Sequence, residues 1–132
     1  TPQMVVAGQR AAIGSDRGRV EDAIRRLRKQ ANPLTLTVAN GGAGGVRVEA
    51  KGASATLWRV DFLKAHETVV LRGENKGKRL ESRHIVRGMM RLGSAGAGPI
   101  STPAPADGMG CAILAQIGQD GVGPILAAAY CP

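Results

Sequence analysis

A chain of 132 residues is enough for one domain with a buried core, or one and a half small ones. Its apolar fraction is 43%, yet its aromatics are Trp58, Phe62 and Tyr130 alone, and 19 glycines with 7 prolines argue for many turns and against a long helical bundle. It holds no unbroken run of about 18 apolar residues for a membrane-crossing helix, and no nucleotide-binding glycine fingerprint, paired-cysteine zinc motif or metalloprotease helix, so neither a metal nor a cofactor is expected.

Gln3–Ala7 reads as a short buried strand, Gly8-Gln9 as a tight turn and Arg10–Ile13 as a returning strand. Ser15 or Asp16 can then accept hydrogen bonds from the free amides of a helix start. Val20, Ala23, Ile24, Leu27 and Ala31 recur at helical spacing, with acids early and Arg25, Arg26, Arg28 and Lys29 late, an order that suits the helix dipole. Asn32-Pro33 ends the helix, because the residue before proline is pushed out of helical geometry. After Pro33 the period changes to two. Leu34, Leu36 and Val38 alternate with threonines, Asn40–Gly45 is a glycine-rich loop, Val46–Ala50 returns, and Gly52–Ser54 turns again. Thr56–Lys64 reads as a longer strand with Leu57, Arg59, Asp61 and Leu63 on one face and Trp58, Val60 and Phe62 on the other. Thr68–Leu71 follows as a separate strand, then a polar loop over Gly73–Arg79. Ile85–Leu92 fits helical and strand spacing alike, and a strand is expected. Ser94–Gly110 reads as a linker with little to bury. Cys111–Ile117 and Pro124–Tyr130 form a closing hairpin around Asp120-Gly121. The total is one helix and about eight strands, with Leu36, Val38, Val48, Trp58, Val60, Phe62, Val70, Ile113 and Leu126 expected in the core.

Eighteen basic against ten acidic side chains give a net charge of +8. The charge is concentrated. Arg72, Lys76, Lys78, Arg79, Arg83, Arg87 and Arg91 are opposed in their stretch only by Glu74 and Glu81, whereas residues 94–132 hold no base at all. Such a stripe attracts an anionic protein or a membrane surface. Nucleic acid is disfavoured, because no aromatic lies in the stripe to stack on bases. Within it the loop of Arg72, Gly73, Glu74, Asn75, Lys76, Lys78 and Arg79 is the best binding-site candidate. Its glycines permit backbone amides to converge on one anion, and Glu74 and Asn75 can equally hold the loop internally.

The opening strand–turn–strand–helix unit is physically incomplete. A two-stranded ribbon with one helix on it is rarely stable alone, and an all-apolar first strand belongs inside a sheet. A neighbouring strand is therefore expected from upstream sequence, from a second chain or from the later strands folding back. Upstream sequence is the simplest source, since a chain opening on Thr1 rather than Met reads as processed or as part of a longer protein.

Thr1-Pro2 followed by this unit resembles the C-terminal half of a thioredoxin fold. More specifically, Thr1-Pro2-Gln3-Met4-Val5-Val6, then Gly8 and Ile13-Gly14-Ser15-Asp16-Arg17, is similar to a bacterial secreted thioredoxin-like family known as domain of unknown function 1223. Arg72–Leu80 with Val86-Arg87 and Leu92-Gly93, and Gly123–Ala129, resemble that family's later signatures. The resemblance implies an α+β architecture: residues 1–32 as the β-β-α portion of a thioredoxin-like unit, and 33–132 as an antiparallel β-sandwich or open barrel with a closing hairpin over 111–131. It implies a periplasmic or secreted location. It also implies that the first strands and any redox motif lie elsewhere, in a missing N-terminal half or a second chain that completes the sheet. In such a fold the proline before the first of these strands is cis, so Thr1 and Pro2 would line a substrate groove.

Cys111 and Cys131 are the only cysteines and cannot form a Cys-X-X-Cys pair. On a hairpin centred at Gly121 they face each other, and a cross-strand disulfide is expected at a non-hydrogen-bonded pair; two buried thiols are the alternative. His66 and His84 match no metal-ligand spacing, and Asp61 beside Arg59 suits a cross-strand ion pair. Two functional classes follow. The intact protein carries out thiol–disulfide exchange or binds thiol substrates, this chain alone lacking the redox motif. Alternatively, the β domain is a non-enzymatic binding or structural subunit of a periplasmic or membrane-associated assembly.

Overall fold

The computed structural model describes residues 2–132. Its elements run β1 (Gln3–Val6), β2 (Arg10–Ile13), α1 (Arg17–Arg28), β3 (Thr35–Asn40), β4 (Val46–Lys51), β5 (Thr56–Val69), β6 (Arg79–Ser94), β7 (Ile100–Thr102), β8 (Met109–Gln116) and β9 (Ile125–Tyr130). The architecture is mostly β, with antiparallel sheets and, among the described residues, one helix. Asp16 caps α1, its side chain accepting from the Arg19 amide. The helix stops at Arg28, a turn before Asn32-Pro33, and the Asn32 side chain is used instead as a tie: its Nδ2 donates to the Leu126 carbonyl at 2.7 Å and its Oδ1 accepts from the Leu34 amide at 3.1 Å.

β1 and β2 form a two-stranded sheet of their own. The remaining strands form a three-stranded sheet, ordered β3-β4-β7, and a four-stranded sheet, ordered β6-β5-β8-β9. The core lies between these two. Leu34, Val46, Val48 and Ala50 meet Leu57, Ile113 and Ala115 there, and Val48, Ile113 and Ala115 are fully buried. Period two decides which side chains enter. Leu57, Arg59 and Asp61 pair with Ala115, Ile113 and Cys111 on the inner face. Gly52 lets the β4–β5 turn pass close to Pro33: its φ is +108°, and a Cβ there would strike the Pro33 carbonyl oxygen.

Three expectations need correction, and a fourth, the core, is met at Val60 and Phe62 but on the other face of the sheet. Thr56–Lys64 and Thr68–Leu71 are one strand, because β5 continues unbroken to Val69 against β6. β6 starts six residues earlier than Ile85, at Arg79; its polar half needs only one partner strand and therefore carries no apolar alternation. The stretch read as a linker contains β7, whose Ile100 and Thr102 pair with Val48 and Val46 and extend the smaller sheet. Trp58, Val60 and Phe62 point away from the inter-sheet core. Val60 and Phe62 are nonetheless buried among their own sheet neighbours, and Trp58 is half-buried. Leu36, Val38 and Leu126 pack on the core's margin, whereas Val70 sits half-buried at the far end of β5.

Candidate functional site

β8 begins opposite Leu63, since Met109 is that residue's partner. Beyond Lys64, whose N–H still donates to Gly108 C=O, β5 and β6 have only each other and run on as a free two-stranded ribbon over 65–69, roughly 17 Å long at about 3.3 Å per residue. Glu67 lies directly across from Glu81 on this ribbon, a repulsive pairing of like charges. Each carboxylate takes an arginine: Arg79 Nη1 lies 2.8 Å from Glu67 and Arg83 Nη2 lies 2.6 Å from Glu81. These exposed pairs contribute little stability, but they neutralise the shaft. Arg72, Lys76 and Lys78 at the tip have no carboxylate within ion-pair distance among the described residues.

The tip is closed by its own backbone. Val70 N–H donates to Lys78 C=O, Gly77 N–H to Val70 C=O, Lys76 N–H to Gly73 C=O and Lys78 N–H to Asn75 C=O. Gly73 and Gly77 supply the two positive φ values, +86° and +85°, that the turn requires. The amides of Lys76, Gly77 and Lys78 therefore face loop carbonyls and do not converge on an anion. Lys78 Nζ also donates to Asn75 Oδ1 at 3.0 Å. At those positions what the tip offers an anion is side-chain charge. The same tip exposes apolar side chains that the sequence reading passed over: Leu71 at 76%, Val69 at 49% and Leu80 at 46%.

Cys111 and Cys131 are joined in a disulfide, and no free cysteine remains. The β8–β9 register places Ala112 opposite Tyr130 and Ile113 opposite Ala129, so the next pair outward is 111 with 131. The expected pair type is corrected. Cys131 N–H donates to Cys111 C=O at 2.8 Å and the Cα atoms are 5.3 Å apart, which is the wider, hydrogen-bonded spacing. Beside the bridge, the Phe62 ring meets His84 edge-on at 4.8 Å and Tyr130 at 6.0 Å. His84 has a φ of +53° inside β6, and its side chain, exposed at the surface, joins an aromatic cluster there. Lys64, His84, Tyr130 and the disulfide border a cavity of about 330 Å³. His66 stays exposed. No group of three or more His, Cys, Asp or Glu side chains among the described residues is placed to hold a metal ion.

Arg59 and Asp61 pair along one strand rather than across two, because residues two apart share a face. Arg59 Nε lies 3.1 and 3.2 Å from the two Asp61 carboxylate oxygens, and Nη2 lies 2.9 Å from Oδ1. Nη1 donates to Thr102 Oγ1 at 2.8 Å and to the Pro103 carbonyl. The guanidinium, 6% exposed, thus bolts β5 to β7 and is structural.

At the opposite end from the tip, β1 pairs with β2 and with no other strand. Gly14 N–H donates to Pro2 C=O. The alternation of an antiparallel ladder then aims Met4 and Val6 at β2 and turns the N–H and C=O of Gln3 and Val5 outward. Met4 is 44% and Val5 56% exposed. One backbone bond, Ile125 N–H to Ala7 C=O at 2.9 Å, ties this unit to β9. Pro2 is exposed beside Gly14; Thr1, and with it the Thr1–Pro2 peptide bond, lies outside the described residues.

Residues 1–116 match the family described as protein of unknown function DUF1223. The chain belongs to that family. The DUF1223 match runs from β1 to the end of β8, so it includes the ribbon and Cys111 and stops short of β9 and Cys131. No curated protein matches. The chain is also similar to the crystal structure of protein AGR_C_4864 from Agrobacterium tumefaciens, at 18% identity and a TM-score of 0.74. That likeness concerns the fold alone. It covers 99% of this chain and 61% of the other, so this chain spans about three-fifths of that protein's length.

Proposed function

We propose that this chain is the partner-selecting part of an exported thioredoxin-like protein. Its β1–β2–α1 unit completes a sheet whose other strands, and whose thiol chemistry, lie in polypeptide outside residues 1–132. The observation that carries this reading is the bare outer edge of β1, where Gln3 and Val5 offer unsatisfied backbone groups beside exposed Met4 and Val5. A further strand satisfies those groups and covers those side chains. In this reading Pro2 stands at the mouth of the completed groove. The intact protein exchanges disulfides or binds thiol substrates, and this chain by itself does neither, since its two cysteines are held in one cross-strand bridge. That bridge supports a periplasmic or secreted location, and no helix of the described residues is long and apolar enough to cross a membrane.

Reduction of insulin disulfides by dithiothreitol tests the proposal. This chain is expected to leave the uncatalysed rate unchanged. A longer family member carrying the upstream Cys-X-X-Cys is expected to accelerate it, and to lose the effect when those cysteines become serine. A longer protein that is inert with its cysteines intact overturns the redox reading. It would favour the second one, a non-enzymatic binding or structural subunit, to which the projecting basic ribbon already lends support.

A further inference from the structure

The projecting end of the β5–β6 ribbon combines two features that a purely electrostatic or purely structural hairpin does not need together. Leu71 stands 76% exposed in the turn itself, and Val69 and Leu80, on opposite faces of the last two pairs of the ribbon, are also exposed. Arg72, Lys76 and Lys78 surround it, and the local acid is Glu74. The shaft behind the tip is neutralised by the Arg79–Glu67 and Arg83–Glu81 pairs. A single exposed apolar side chain is ordinary, as Val122 in the β8–β9 turn shows at the same 76%, so it is the pairing of Leu71 with bases in one loop that is informative. A base cluster on its own does not need leucine at its centre.

We propose that this tip docks on the surface of an anionic lipid bilayer, with Leu71 entering the interfacial layer while Arg72, Lys76 and Lys78 contact lipid phosphates. An interface of this kind takes both groups at once, because the apolar region begins just beneath the charged headgroups. The internally bonded turn contributes rigidity: four of its backbone amides, those of Val70, Lys76, Gly77 and Lys78, already have partners within it, which lowers the conformational entropy lost on ordering it at a membrane. Geometry favours a tip-first approach. The β1–β2–α1 unit touches β9 near Ile125, which is aligned through Gln116 with Thr56, the opposite end of β5 from the tip. The free ribbon alone, roughly 17 Å long, keeps the basic side chains outside it about two Debye lengths of about 8 Å from the surface at physiological salt, and the two arginines on it, Arg79 and Arg83, are already paired. This docking is independent of the thiol reading above.

Sedimentation with vesicles tests it. The folded chain, its disulfide intact, is mixed with phosphatidylcholine vesicles or with vesicles containing roughly one-third phosphatidylglycerol. Binding is expected only to the second. R72Q/K76Q should lower the partition coefficient by about 25-fold, on the basis of about five-fold per charge, and L71S by about ten-fold. R17Q/R25Q on α1 removes the same charge and should change it less than about two-fold. Thermal melts matching the parent exclude misfolding as the cause. Equal binding to both vesicle types overturns the proposal. So does an equal loss in the α1 variant, which would mean net charge alone. Charge-dependent binding with no effect of L71S, displaced by polyglutamate, also overturns it and assigns the tip to an acidic protein.

Discussion

Arg59 carries a guanidinium into the space between two sheets, where an unpaired charge would be costly. Asp61, Thr102 and the Pro103 carbonyl together occupy its donors, so the residue exchanges apolar burial for a fixed link between β5 and β7. R59A removes that link and leaves Asp61 without its counterion. Asp61 is 30% exposed, and water there softens the loss, so the expected cost is about 2–3 kcal/mol rather than the larger figure for a fully buried pair. R59A/D61A should cost less than the two single changes summed, as measured by urea denaturation. A sum that is strictly additive would mean that the pair is not coupled. The sequence shows Arg59 and Asp61 on one strand face but not that this face is the inner one. The deciding contact, Thr102, lies 43 residues away in a segment with no strand pattern of its own. Phe62 misleads for a related reason. Its ring occupies the space over Gly110 where a side chain would otherwise stand, so it is buried on the outer face of its own sheet and not between sheets.

At the scale of elements, the closing hairpin is the most legible part of the chain. Two apolar runs, a Gly-containing turn and two cysteines at symmetrical distances fix both register and partner, and the β8–β9 ladder keeps its pairing centred on Gly121 from residue 112 to residue 115. Only the hydrogen-bonding class of the cysteine pair escaped, because the centre of a hairpin does not say which residues exchange bonds. The bridge closes a separation of 20 residues. By the chain-entropy model its removal should cost about 3 kcal/mol. C111A/C131A is expected to lower the urea midpoint accordingly, with thiol titration of the denatured, unreduced parent giving no free thiol. Two titratable thiols in the parent would contradict the bridge. The β5–β6 ribbon was less legible. Its outer half faces water on both sides, so no apolar alternation marks it. Register shifts near Leu57/Trp58 and Asp61/Phe62 also break the period of β6 around Gly88, which is why Ile85–Leu92 fits a helix as well as a strand.

For the whole molecule, the open question is what stands beside β1. The later strands had the opportunity to fold back on it and do not: they close their own core and reach the unit through Ile125 and Asn32. A strand of four residues paired on one edge, with a helix on one face, is marginal by itself, which makes its outward amides a sensitive probe. In this chain the Gln3 and Val5 amides should exchange with deuterium near the rate of an unstructured peptide, while those of Val48 and Ile113, in the closed core, exchange slowly. In a longer family member, where additional polypeptide is present to supply a neighbour, the corresponding two outward amides should slow by roughly two orders of magnitude, as expected for backbone groups entering a sheet. The inward amides of Met4 and Val6 should change far less, because β2 already holds them. Uniform slowing along β1 would indicate general stabilisation without a new strand. Unchanged exchange at Gln3 and Val5 would mean that the edge stays bare in the intact protein, and the proposed completion of the sheet would be wrong.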